Sequence, residues 1–318
     1  MEKLEYSKIE AEKDIIMSIE DFKTDLMNIV GDNFYTNDAG DFVLNDYKSI
    51  FEYCEFSIFC ENVSGNHRSY HTAKQKKYLD AGYRFFIVFE DEYLCKRSVV
   101  LSRINNILGK NYGEKLYARD CVVEEIKTRV SSKFINEFHI QGNSGSKVKL
   151  GLFKKDGMSR TDLVSVMTFG GLSRAKGNRN ANQNDWELVR FCTDTKYRCI
   201  GAAGKLLKHF ERNYSWGNML TFADKRWSPT GNLYTKIGFN LHSTTQPNYY
   251  YLKLPNFDKR CHRFAFRRNV LRDRAVNETS LNEAQILSMT EFELAKVLGY
   301  DRIWDAGNYK FVKQNQNL

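Results

Sequence analysis

The sequence predicts an α/β protein of successive domains, and three observations carry that prediction. A chain of 318 residues with 42% hydrophobic and 14% aromatic content is long enough for two cores. The continuous apolar run Tyr83-Arg84-Phe85-Phe86-Ile87-Val88-Phe89 has the character of a strand buried on both faces of a parallel or mixed sheet. Around Tyr197 to Leu207, a second apolar strand turns through small residues into an amphipathic helix.

Taken in order, Ser18-Ile19-Glu20-Asp21 reads as a capping box. Ile19, Phe22, Leu26, Ile29 and Val30 then recur at helical spacing, and Gly31-Asp32-Asn33 supplies the stop. Between Asp41 and Glu61, aromatic and β-branched residues predict a two-stranded hairpin that turns near Asp46 to Ser49 or near Glu55. A lysine-rich helix spans Ser69 to Ala81 and ends at Gly82. After the apolar strand comes a helix from Ser98 to Leu108, with Glu90-Asp91-Glu92 read as a solvated turn. From about Tyr117, strands alternate with helices at Ser132 to Phe138 and Ala202 to Tyr214, through about Leu254. A basic segment and a terminal hairpin complete the chain, with turn centres at Asp156-Gly157 and Asp305 to Asn308.

Composition narrows the classes. No apolar run approaches the roughly 20 residues of a membrane span, and a charged start without a secretory core leads to the expectation of a cytoplasmic protein. Seven scattered cysteines without a CxxC pair read as reduced, buried thiols. A formal charge of +9 suggests a polyanionic partner.

The turn Arg198-Cys199-Ile200-Gly201-Ala202-Ala203-Gly204 leads into a helix whose positive dipole end can hold phosphate, and by itself it reads as a coenzyme A pyrophosphate loop through Arg198, Gly201, Ala203 and Gly204. Its flanks, Asp185 to Cys192, Phe222 to Ser228 and Gly231 to Phe239, complete an assembly. That assembly resembles the GNAT acetyltransferase-like domain carried by phage and mobile-element homing endonucleases. There it follows a small nuclease domain related to very-short-patch-repair enzymes. The resemblance is dense from about Tyr83 to Val312 and thin from Met1 to Asp80.

The resemblance implies an N-terminal helical segment at 1–32 and a restriction-endonuclease-like domain at 33–116. It further implies a GNAT-like mixed-sheet domain at 117–255 and a basic C-terminal segment with its hairpin at 256–318. The implied activity is a homing-type endonuclease that cuts double-stranded DNA with Mg²⁺ held by Asp46 and Glu61. Glu20, His67 and His71 fall near the family's helix glutamate and histidines. The match is imperfect: Cys60-Glu61-Asn62-Val63-Ser64-Gly65-Asn66-His67 lacks the family's glycine and tryptophan, and Ala73 stands where a carboxylate is expected. A catalytically decayed DNA-binding protein therefore remains open. So does an N-acetyltransferase, although no general base is evident and acetyl-CoA is not expected.

DNA contact is expected from Lys259, Arg260, Arg263, Arg267 and Arg268, interleaved with His262, Phe264 and Phe266, in a stretch where cations can track phosphates. Lys74, Lys76 and Lys77 form a smaller patch beside the expected nuclease centre. A polar loop at Asn178 to Asn184 reads as a connection.

Overall fold

The computed structural model of the protein describes residues 19–56, 67–110, 112–156, 159–172, 182, 184–228, 233–253 and 260–315. The chain divides into two units, one of Met1–Cys95 with Gln246–Gly307, the other of Lys96–Thr245 with Asn308–Leu318. Neither is a continuous stretch, so these units replace the continuous spans 33–116, 117–255 and 256–318.

In the first unit, helix α1 (19–30) buries Phe22, Leu26 and Val30, the apolar stripe set by its spacing. Strands β1 (Tyr35–Thr36), β2 (Phe42–Leu44) and β3 (Ser49–Cys54) follow, and β2 and β3 are antiparallel. The link between them is a 3-10 turn at Asn45–Tyr47, closed by Lys48 at φ 46°. The expected hairpin turn therefore lies at Asp46. Helix α2 (His67–Asp80) leads to β4 (Arg84–Phe89), which runs parallel to β3 from Ser49↔Arg84 to Cys54↔Phe89 and has the predicted buried pattern. Helix α3 (Glu90–Ile107) starts at Glu90, earlier than its spacing predicts. Its backbone leaves helical geometry at Lys96 (φ −142°, ψ 42°), where the chain passes into the second unit.

In the second unit, β5 (Glu114–Tyr117) is followed by β6 (Cys121–Glu125), α4 (Thr128–Phe138), β7 (Val148–Asp156), β8 (Ser159–Gly171) and β9 (Trp186–Thr193). Then come β10 (Tyr197–Ile200), α5 (Ala202–Asn213), β11 (Asn218–Asp224), the short α6 (Leu233–Lys236) and β12 (Asn240–Thr244). The chain next re-enters the first unit as β13 (Tyr249–Lys253), β14 (Cys261–His262), α7 (Arg268–Glu278), α8 (Glu283–Ser288), α9 (Glu291–Val297) and β15 (Tyr300–Trp304). It closes with β16 (Asn308–Gln314) in the second.

The expected terminal hairpin is thus corrected. β15 pairs with β13, whereas β16 pairs with β11 and β12, so the two strands belong to different sheets. The basic segment is likewise no extension, because Phe266, Leu271 and Ala275 share a core with Tyr251, Leu294 and Leu298.

The second unit is organised by a mixed seven-stranded sheet of order β12-β16-β11-β9-β8-β7-β6. Helix α5 covers it with Ala203, Leu206, Leu207 and Phe210, whose ring stacks on Phe169 at 3.8 Å. Side chains of that size contribute about 1.5–3 kcal/mol each on full burial. The described cysteines are all free. No helix among the described residues is long and apolar enough to cross a membrane.

Candidate functional site

Strand β9 is antiparallel to β8 along its length, but it meets β11 in parallel only at Trp186↔Met219 and Glu187↔Leu220. Beyond those pairs the two backbones run on to Thr193 and Asp224 without pairing, linked at Leu188 O by the Thr221 hydroxyl at 3.0 Å, so the sheet splays open. On its other edge β9 carries a bulge: Arg190 faces Thr168 and Leu188 faces Phe169, leaving Val189 as the extra residue. The splay encloses a cavity of about 350 Å³ walled by Glu187 to Thr193, Phe222 to Asp224, Arg103, His139, Trp227 and Tyr234. A second cavity of about 460 Å³ reaches Arg198 and Gly201 to Gly204, and it shares Phe191, Thr193, Tyr197 and Leu233 with the first.

Where this channel meets α5, Gly201 adopts φ 84°, a conformation that favours glycine. Among the described residues no side chain caps the helix, and its first internal bond runs from Lys205 N–H to Gly201 O at 3.0 Å. The amides of Ala202, Ala203 and Gly204 therefore have no acceptor within the helix. A Cβ added at Gly204 would meet only Ile237 at 4.0 Å, so the cradle has room. Lys205 does not serve the cradle, because its ammonium donates to Ala118 O and Cys121 O at 2.8 and 2.6 Å.

Two bulky neighbours stand where they could close such a cleft. Trp186 does not: its ring packs edge-on against Phe210 at 5.2 Å, and Nε1 donates to Ser215 O at 3.0 Å. Tyr197 lines the channel without filling it.

Burial pushes the Tyr234 hydroxyl above its ordinary range, against a lowering hydrogen bond with Thr221 and the charges of Arg103 and Arg190, so it keeps its proton at neutral pH. His139 is driven well below the usual imidazole range by burial and by Arg103, Arg190 and Lys96, and is neutral. Its Nδ1 accepts from Gln141 N–H at 3.1 Å, which assigns the ring proton to Nε2. Neither Tyr234 nor His139 was singled out from sequence, since each is a lone polar residue until the fold brings it to the splay.

The described members of the expected nuclease set stand in unlike surroundings. Asp46 is exposed on the 3-10 turn, and Glu20 is exposed with its carboxylate 3.7 Å from Lys23. Glu61 and Lys259 lie outside the described residues, and His67 begins α2. His71 is fully buried with Nδ1 3.3 Å from Glu52. The carboxylates that do meet are Asp41, just before β2, and Glu52 of β3, a pair that sequence reasoning missed. Lys74 sits between them at 2.6 and 2.7 Å, which corrects its placement in a surface patch. Among the described residues, no group of three or more His, Cys, Asp or Glu side chains is placed to hold a metal.

Of the remaining cations, Lys76 pairs with Asp80 at 2.7 Å and Lys77 lies over the Tyr78 ring. Arg260 is engaged by Asp91 and Glu92 at 2.6 and 3.0 Å, so that acidic trio is buried where a solvated turn was expected. Arg268 donates to Leu287 O and Met289 O at 3.0 and 2.8 Å. Arg263 and Arg267 instead lie over Phe264, at 5.5 and 5.4 Å.

No family model matches the chain, and no curated protein matches it. Solved structures do. A GNAT family acetyltransferase from Elizabethkingia anophelis with acetyl-CoA bound matches at 9% identity over 62% of this chain and 99% of that one, with a TM-score of 0.31. An IAA acetyltransferase from Bacillus cereus matches at 12% over 61% and 99%, with a TM-score of 0.31. Arabidopsis thaliana NAA60 in complex with a bisubstrate analogue matches at 10% over 62% and 99%, with a TM-score of 0.32. These are acetyltransferases. In the first unit the Lys74 ammonium occupies the place between Asp41 and Glu52 where paired carboxylates would hold Mg²⁺, which corrects the expectation of a Mg²⁺-dependent DNA endonuclease. The expectation that acetyl-CoA plays no part is corrected as well, by a cleft that is open at the uncapped start of α5.

Proposed function

We propose that the second unit transfers an acyl group from a coenzyme A thioester to an amine. One observation carries this reading: β9 and β11 part after two residue pairs, and the channel between them runs to the uncapped start of α5. Three helix amides and the helix dipole suit a pyrophosphate there, with Arg198 in the same wall. The unpaired edge of β9 offers backbone groups to an extended amide chain, as an open strand edge does for a peptide. The bulge at Val189 turns the adjoining backbone out of the ladder, beside the splay.

A bound acyl-CoA would supply a thioester carbonyl open to aminolysis. Tyr234 holds a proton at Oη that it can give to the departing sulfur. Glu187 stands in the same wall as an acceptor for the proton the amine loses. Calorimetry with acetyl-CoA is the test. Micromolar binding with release of free thiol in the presence of amines is expected, and a flat titration at millimolar acetyl-CoA would overturn the reading.

A second proposal concerns double-stranded DNA and the first unit. Phe264 is 59% exposed beneath the guanidinium groups of Arg263 and Arg267, with the His262 ring 4.8 Å away. This smaller patch supports phosphate contact, whereas Arg260 and Arg268 are engaged within the unit. Charge reversal of Arg263 and Arg267 should weaken DNA binding evenly across sequences and lower the salt slope by about one for every phosphate no longer neutralised. An unchanged slope in a salt titration would assign the pair to the fold.

A further inference from the structure

The acyl-transfer reading leaves one group of the splay wall unused. The Trp227 side chain is 7% exposed and lines the cavity between β9 and β11, yet its Nε1–H meets no acceptor among the described residues. Buried donors without acceptors are unfavourable, and such a group in a cavity wall marks where a ligand oxygen belongs. Arg103 stands beside it, its guanidinium carbon 5.5 Å over the indole ring. A planar cation next to an N–H donor is the arrangement that recognises carboxylate or phosphate.

The charge balance of the wall agrees. Among the described residues its cations are Arg103 and Arg190, and Lys96 joins them in bearing on the His139 imidazole. Of the wall's two carboxylates, Asp224 is neutralised by the buried Arg226 at 2.6 Å, while Glu187 lies where β9 and β11 still bond. Trp227 lies beyond the other end of β11, bonded through its own N–H to Asp224 O at 3.1 Å. At about 350 Å³ the cavity accommodates a molecule of amino-acid size.

We propose that the acyl acceptor is a small amine carrying an oxyanion, carboxylate or phosphate, which the Arg103 guanidinium and the Trp227 Nε1–H hold. This rests on the acyl-transfer reading. In the step itself the amine nitrogen forms the C–N bond to the acyl carbon, the C–S bond breaks with its electron pair going to sulfur, and the nitrogen's proton leaves to the Glu187 carboxylate in the wall. The thiolate takes a proton from Tyr234. The oxyanion is unchanged throughout, so it serves orientation alone.

The test has a readout that needs no acetyl-CoA. The Trp227 indole N–H resonance, assigned by its loss in Trp227→Phe, is followed while each proteinogenic amino acid and phosphoethanolamine is titrated in, alongside the matching amines without the anion, such as phenethylamine and ethanolamine. The resonance is expected to move with at least one anionic amine and with none of the others, the phosphate and carboxylate arms telling the two sources apart. Arg103→Gln should weaken that binding about tenfold or more. Arg103→Lys should restore part of it, and the melting temperature should hold in both variants. An indole that moves with no anionic amine, or acetylation of phenethylamine or ethanolamine with a kcat/KM equal to that of the anionic counterparts, overturns the inference. An indole shift without any acetyl-CoA binding would instead sink the transfer reading and leave the anion site standing.

Discussion

Individual carboxylates in the first unit behave oppositely because their neighbours differ. Burial by itself would raise Glu52, but the hydrogen bond and charge of His71 and the Lys74 ammonium reverse that and hold it at about 2. Leaving such a buried acid without its cation costs about 3–5 kcal/mol, so Lys74 is part of the fold. Glu55 has no such cation beside it among the described residues. Burial, and then the charge of Glu90, push it from 4.5 up to about 7. Between those values the folded chain keeps a proton that the unfolded chain releases, so stability falls as pH rises through that window. Glu55→Gln removes the effect. Thermal or urea unfolding should find the variant equal to the parent near pH 4.5 and about 2 kcal/mol more stable at pH 8. A stability gap that does not change with pH would contradict the account.

Among elements, the β10–α5 corner carries the cofactor proposal. Gly201 makes the corner because its φ of 84° lets the chain turn directly into the helix, while Gly204 is open to the channel for another reason. A side chain there meets little of the protein, with only Ile237 within 4.0 Å. Gly204→Glu should therefore fold, yet it places bulk and negative charge at the amide cradle, and acetyl-CoA affinity should fall about a hundredfold. Circular dichroism checks the fold and calorimetry the binding. Retained affinity in a folded variant would remove α5 from the site.

At the scale of the whole molecule, the second unit is interrupted by residues 246–307, which belong to the first. The interruption begins and ends at one place in the sheet: Thr245 N–H donates to Asn308 O and Asn308 N–H to Thr245 Oγ1, both at 2.8 Å. Strands β12 and β16 are antiparallel up to that point, with Thr244 opposite Tyr309. A tight Asn-Gly turn can join them. A chain of residues 96–245 joined through such a turn to 308–318 should fold and bind acetyl-CoA within about threefold of the full chain's affinity. Melting with retained cooperativity and calorimetry decide this, and a molten chain would show that the second unit needs the first.

By itself the sequence determined what local chemistry controls. Tyr83 to Phe89 is a strand because an apolar run of that length has no other stable use, and α5 starts at Ala202 because Gly201 alone of its neighbours takes the turn. The cradle proposed for acetyl-CoA could be raised from sequence because it is one contiguous stretch from Arg198 to Gly204. The meeting of Asp41 and Glu52 was not legible, because which carboxylates meet depends on strand register: Phe42↔Phe51 brings the two together, and only the path of α2 puts Lys74 between them. The splay, the bulge at Val189 and the meeting of Arg103 with Trp227 and Tyr234 were decided by tertiary structure alone, since they join residues distant in the chain whose polarity in sequence marks nothing.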